Sequence, residues 1–187
     1  MRTVLALVAG RRANHITNQF EALLSSCVCS SQKDAETRRA ELFAEALSSI
    51  DDAAAAALDR LAADQHALHI PVEVAAHAPE SRCAAALSAR VQSSSSSLDE
   101  LMRGSTPEGL LLRAMVQRSE PLARAVLGLA LRGGAESFRA CFAADTGAGY
   151  LLVSMLRHEA LAAAVRERAA DLEGVESPTA KLLLSRL

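Results

Sequence analysis

The stretch TPEGLLL, Thr106 to Leu112, recurs twice with the same skeleton, as TGAGYLL from Thr146 to Leu152 and as SPTAKLL from Ser177 to Leu183. All three fit Thr/Ser-x-x-Gly/Ala-x-Leu-Leu, at spacings of 40 and 31 residues. Each position has a physical use. A hydroxyl at a helix N-cap satisfies one of the free amides of the first turn. Gly109, Gly149 or Ala180, three residues later, lets the preceding helix approach closely, and paired leucines then enter a core. Units of this length that bury one face only by stacking on a neighbour build an α-solenoid. Ordinary helical proteins also place leucines after hydroxyl caps, so the motif alone does not separate a solenoid from another helical fold.

Outward from these repeats, apolar residues keep helical spacing of three and four from Thr3 onward, and no segment alternates as a half-buried strand does. Breaks are expected at Gly10–Asn14, Ser25–Gln32, Ser48–Asp52, Asp64–Gln65, Pro79, Gln92–Ser97, Gly104–Pro107, Ser119–Pro121, Gly133–Gly134, Asp145–Gly147 and Gly174–Pro178. Between them lie helices of about 10–15 residues. Asp51 and Asp52 are placed as caps of an alanine-rich helix, and Pro121 suits a first helical turn. The run Ser93–Ser97 reads as a flexible connector.

Composition agrees with close helix packing. Hydrophobic residues make up 50% of the 187, yet aromatics are only 3% and Trp is absent, so the core is assigned to Ala, Leu and Val. A net charge of −2 gives the whole molecule no pull toward nucleic acid or an anionic membrane; such contact needs a local patch. No apolar run approaches the ~18 residues of a membrane span. The four cysteines, Cys27, Cys29, Cys83 and Cys141, lack a second pair at metal-ligand spacing and read as reduced core thiols.

Nothing marks an enzyme. His66 and His69, with Asp64, offer two or three ligand types but no complete set, and His158-Glu159 reads as a turn. No phosphate loop and no nucleophile arrangement is found, so no cofactor, metal or small-molecule substrate is expected. The N-terminal segment carries Arg2, Arg11 and Arg12 with no acid before Glu21, a profile that also suits a mitochondrial presequence.

The segment SQKDAETRRAELF, Ser31 to Phe43, then becomes informative. It resembles the Ser-Lys-Lys-Asp-x-Glu-x-Arg-Arg-x-Glu-Leu-Leu segment of the C-terminal penguin-like domain of divergent pumilio proteins of the Puf-A type. Ser31, Lys33, Asp34, Glu36, Arg38, Arg39, Glu41 and Leu42 match, while Gln32 and Phe43 depart. Residues 3–17 are similar to the end of a preceding pumilio repeat, and the three leucine motifs fall in the order of the family's last repeats. The resemblance implies a pumilio/armadillo-like superhelix of about 11–13 helices. Residues 1–30 would end an upstream repeat and 31–187 would form the penguin-like domain, with the Ser-rich loop at 92–97. It also implies that the chain starts inside a repeat and is part of a longer protein. By the same resemblance the protein is a nuclear, mainly nucleolar factor in large ribosomal subunit assembly. It would bind pre-rRNA or mRNA without base-specific readout, dock on pre-ribosomal proteins, and in some relatives repress translation. The alternative is a protein-only helical scaffold in a large complex, with the mitochondrion as the alternative location.

Pumilio repeats that read bases do so from the first, second and fifth helix positions after the small residue. Here these are Leu110, Leu111 and Ala114; Tyr150, Leu151 and Ser154; Lys181, Leu182 and Ser185. Only Tyr150 can stack on a base, which argues against a one-base-per-repeat code. Backbone contact is assigned to Lys33, Arg38 and Arg39, and to Arg113, Arg118, Arg124, Arg132 and Arg139, in a stretch, 101–140, whose charges sum to +3. The competing reading pairs Asp34 with Arg38 and Glu36 with Arg39 within one helix, each pair contributing about 0.2–0.5 kcal/mol. Ser31 and Asp34 resemble a capping arrangement.

Overall fold

The computed structural model describes residues 34–64, 67–103, 106–143 and 147–187. Every regular element among them is helical. The chain divides into two compact units, 1–53 and 54–187.

The described part of the first unit belongs to helix α1, Ala35–Ala56. Asp34 is its cap: the Oδ1 oxygen accepts from the amides of Glu36 at 3.0 Å and Thr37 at 2.9 Å. Lys33 and the cysteines Cys27 and Cys29 lie outside the described residues. The break expected at Ser48–Asp52 does not occur: Asp51 and Asp52 sit inside α1 and not at a helix start, Asp51 largely buried. The physical reason is that the flanking Glu, Leu and Ala residues are strong helix formers and no Gly or Pro interrupts them, so short polar side chains are carried through. The interruption comes later, at Ala57.

The second unit holds α2 (Leu58–Ala63), α3 (His69–His77), α4 (Arg82–Ser93), the short α5 (Leu98–Leu101), α6 (Pro107–Met115), α7 (Glu120–Leu131), α8 (Gly134–Ala143), α9 (Gly147–Ser154), α10 (Glu159–Glu167) and α11 (Pro178–Arg186). Single 3-10 turns, Met155–Arg157 and Ala169–Leu172, flank α10. Serine or threonine caps recur. Ser81, Thr106, Ser119 and Ser177 accept from the amides of Ala84, Gly109, Leu122 and Ala180. Before α11 the chain turns sharply at Gly174, whose φ of +79° is a left-handed conformation that costs a residue bearing Cβ.

Helix α7 is the centre of this unit. Leu122, Ala123, Ala125, Val126, Leu127, Leu129 and Ala130 are all buried, and between the partly exposed ends Glu120 and Leu131 the narrow line Pro121, Arg124, Gly128 faces water. A helix apolar on nearly every side must be surrounded. It packs along α4 and is also touched by α5, α8 and α10. Helix α6 rests on α2 and α3, while α9 lies among α5, α8 and α11. Small side chains and few rings make the core, as the composition requires; Phe138 and Phe142, edge to face at 5.3 Å, are its largest members.

The small residues of the three motifs sit where helices meet. A Cβ on Gly109 would lie 3.3 Å from the Leu101 carbonyl, and one on Gly149 would lie 2.8 Å from Thr179 Oγ1 and 3.1 Å from the Phe142 ring. Ala180 is fully buried.

Candidate functional site

A cleft of about 570 Å³ opens between α9, the turn that follows it, and α11. Its rim and floor are built by helical spacing. Tyr150 and Ser154 stand four apart on α9, Leu182 and Arg186 four apart on α11, and Val153, Leu156 and Arg157 continue the wall. Gln117, just after α6, closes one side. His158 fixes this corner, its ring Nε2–H donating to the Val116 carbonyl at 2.8 Å, so the turn carrying Arg157 is tied to the end of α6.

The chemistry of the lining is uneven. Tyr150 is 52% exposed, the one large aromatic side chain on the surface among the described residues. Arg157 and Arg186 are exposed, and among the described residues they make neither an ion pair nor a hydrogen bond and no carboxylate lines the cleft. Val153, Leu156 and Leu182 supply apolar surface; Ser154 Oγ donates to the Leu151 carbonyl at 2.7 Å and keeps its lone pairs. An exposed ring flanked by two uncompensated guanidinium groups suits a flat ligand that carries negative charge. Two other clefts differ: one sets Arg124 among Glu80 and Glu120, the other sets Arg139 beside Glu176.

The structure scatters the cations of residues 101–140 over local tasks. Arg103 pairs with Asp99 at 3.2 Å and Arg124 with Glu120 at 2.5 Å. Arg118 donates to the Ala114 carbonyl and Arg139 to the Glu173 carbonyl, at 2.9 and 3.1 Å. Arg132 reaches across to the end of α4, donating to the carbonyls of Gln92, at 2.6 Å, and Ser94, so a positive charge meets the negative end of that helix and holds the serine run. Arg113 lies with its guanidinium against Gly147. Arg38 is half-buried on α1, and the backbone of Arg39 is helical.

Among the described residues no three His, Cys, Asp or Glu side chains converge as metal ligands; His66 lies outside them. Cys83 and Cys141 are buried and outside any disulfide, and burial pushes the Cys141 thiol up to about 12, with Asp99 adding to the shift.

Tyr150, Ser154 and Leu182 occupy positions singled out from the sequence. Arg157, Arg186 and Gln117 do not. They lie beyond the fifth helix position of their motifs, and the charge count that draws attention to residues 101–140 passes over them. The signal in the sequence is spacing: Arg186 is one turn after Leu182, and Arg157 two turns after Tyr150. Comparison with protein-family models, curated proteins and solved structures finds no match for the chain.

Proposed function

We propose that the chain is a non-catalytic, RNA-associated scaffold of the penguin type, a pumilio/armadillo-like superhelix that holds pre-rRNA without reading its sequence and docks on pre-ribosomal proteins in the nucleolus. The observation that carries this reading is the shared construction of the leucine motifs. Thr106 and Ser177 each cap their helix through the amide three residues on, and the small residue of every motif, Gly109, Gly149 and Ala180, is buried in a helix junction. One construction used repeatedly along a chain is how a repeat scaffold is built. The resemblance at Ser31–Phe43 adds the family, and the family adds RNA and the pre-ribosome.

A protein-only scaffold has its own support. Arg103, Arg118, Arg124, Arg132 and Arg139 each have a local partner, and the chain is near neutral. Binding of a structured rRNA fragment, followed by fluorescence anisotropy across a salt series, separates the two. Several phosphate contacts give a log affinity falling with log salt by about 0.7–0.9 per contact. Arg38→Glu with Arg39→Glu is expected to weaken binding and flatten that slope. Absence of binding at low salt would leave protein scaffolding as the function.

A further inference from the structure

We infer that the cleft between α9 and α11 is a site for one unpaired nucleotide of an RNA strand, the base lying on the Tyr150 ring and the phosphates on either side meeting Arg157 and Arg186. This deepens the RNA reading above and rests on it.

Four observations converge. The cleft's volume, about 570 Å³, is within the ordinary range for small-ligand sites, about 300–1,000 Å³. Its ring is half in water although this chain spends only 3% of its residues on aromatics and buries Phe138 and Phe142 completely. Among the described residues its two arginines lack the local partners that Arg103, Arg118, Arg124, Arg132 and Arg139 have. Among the described residues no carboxylate opposes a phosphate there, in contrast with the clefts at Arg124 and Arg139.

Stacking on one tyrosine accepts any base, since every base has a π-face, and arginine meets phosphate oxygens with two parallel N–H donors. The cleft is open along its solvent side, so a strand can lie through it instead of a free nucleotide being enclosed. Duplex RNA is excluded because its bases are already stacked. The site therefore selects unpaired RNA without selecting sequence. Gln117 and the free lone pairs of Ser154 stand ready for the sugar and base edges.

Tyr150 is the sole tyrosine and there is no Trp, so intrinsic emission reports on this cleft alone. The full chain is titrated with a labelled uridine-rich hexanucleotide and with a hairpin of matched charge, reading tyrosine emission and label anisotropy together. The expected result is saturable quenching by the unpaired strand and little by the hairpin. Tyr150→Phe should keep the anisotropy-measured affinity, and Tyr150→Ala should lose about tenfold. Arg157→Gln with Arg186→Gln should reduce the salt slope by about 1.4, the loss of two single-strand phosphate contacts. All three side chains are exposed, so unchanged melting of the variants certifies the fold. Binding with undisturbed emission and wild-type affinity in Tyr150→Ala overturns the cleft as the site while RNA association stands. Failure of both RNAs to bind at low salt overturns both readings, as does quenching by a phosphotyrosine peptide with no response to RNA.

Discussion

Gly128 and Gly149 are both helical and respond oppositely to a methyl group. Gly128 lies on the wet line of α7, where an added Cβ would meet nothing within 4 Å, so Gly128→Ala removes unfolded-state freedom at no steric cost and should stabilise by about 0.5–1 kcal/mol. Gly149 is closed on both sides, by Thr179 at 2.8 Å and Phe142 at 3.1 Å, so Gly149→Ala should destabilise by about 1–3 kcal/mol. Denaturant midpoints moving in opposite directions are the expected outcome; a stabilised Gly149→Ala would mean the junction is loose. The role of Gly149 is legible because the motif repeats. That of Arg157 is not, since a lone surface arginine carries no pattern until the fold puts a ring beside it. Cys141 gives a second test. Its folded thiol is raised to about 12 from an ordinary 9.0, so the unfolded chain ionises first. The stability it contributes is complete below pH 9.0 and is lost as pH rises toward 12. Thiol reagent at pH 8 should label Cys141 only as fast as the chain opens.

At the level of helices, breaks signalled by Gly, Pro or a hydroxyl cap are legible, because each acts on its own backbone. Pro79, Ser119–Pro121, Gly133–Gly134 and Gly174–Pro178 all fall at element boundaries. At Ser48–Asp52 the expectation fails because polar side chains alone do not stop a helix whose neighbours favour it. The cap at Asp34 offers a pH test with a definite sign. A hydrogen bond from the Thr37 side chain, aided by the amides of Thr37 and Glu36, holds the Asp34 carboxyl below its ordinary 3.8. The contribution is therefore present above pH 3.8 and disappears as pH falls through the lower folded value. Protection of the Glu36 and Thr37 amides, the observed exchange rate set against the intrinsic rate at each pH, should fall in that acid window and hold steady between it and neutrality. Asp34→Asn keeps an acceptor but cannot titrate, so its amide protection should be insensitive to acid there. Equal acid sensitivity in the variant would assign the fraying to another carboxylate.

Helical class and a small-residue core follow from composition and period, but the partnering of α4 with α7 does not, since contacts between segments some forty residues apart leave no mark on local spacing. That partnering sets how the chain responds to damage. Helix α7 touches α4, α5, α8 and α10, so a cavity within it loosens four neighbours in the 54–187 unit at once. Leu122 is fully buried, and Leu122→Ala should cost about 2–5 kcal/mol, the lost transfer energy plus the unfilled space. Leu42 on α1 is 59% exposed, and Leu42→Ala should stay within about 0.5 kcal/mol. Helical circular dichroism followed through thermal unfolding should show the Leu122 variant shifting the whole main transition while the Leu42 variant overlays the parent. A Leu122→Ala protein that lost only part of its helical signal at lower temperature, keeping the rest at the parent midpoint, would mean that the layers around α7 unfold separately. The unit would then melt as an array of weakly coupled repeats.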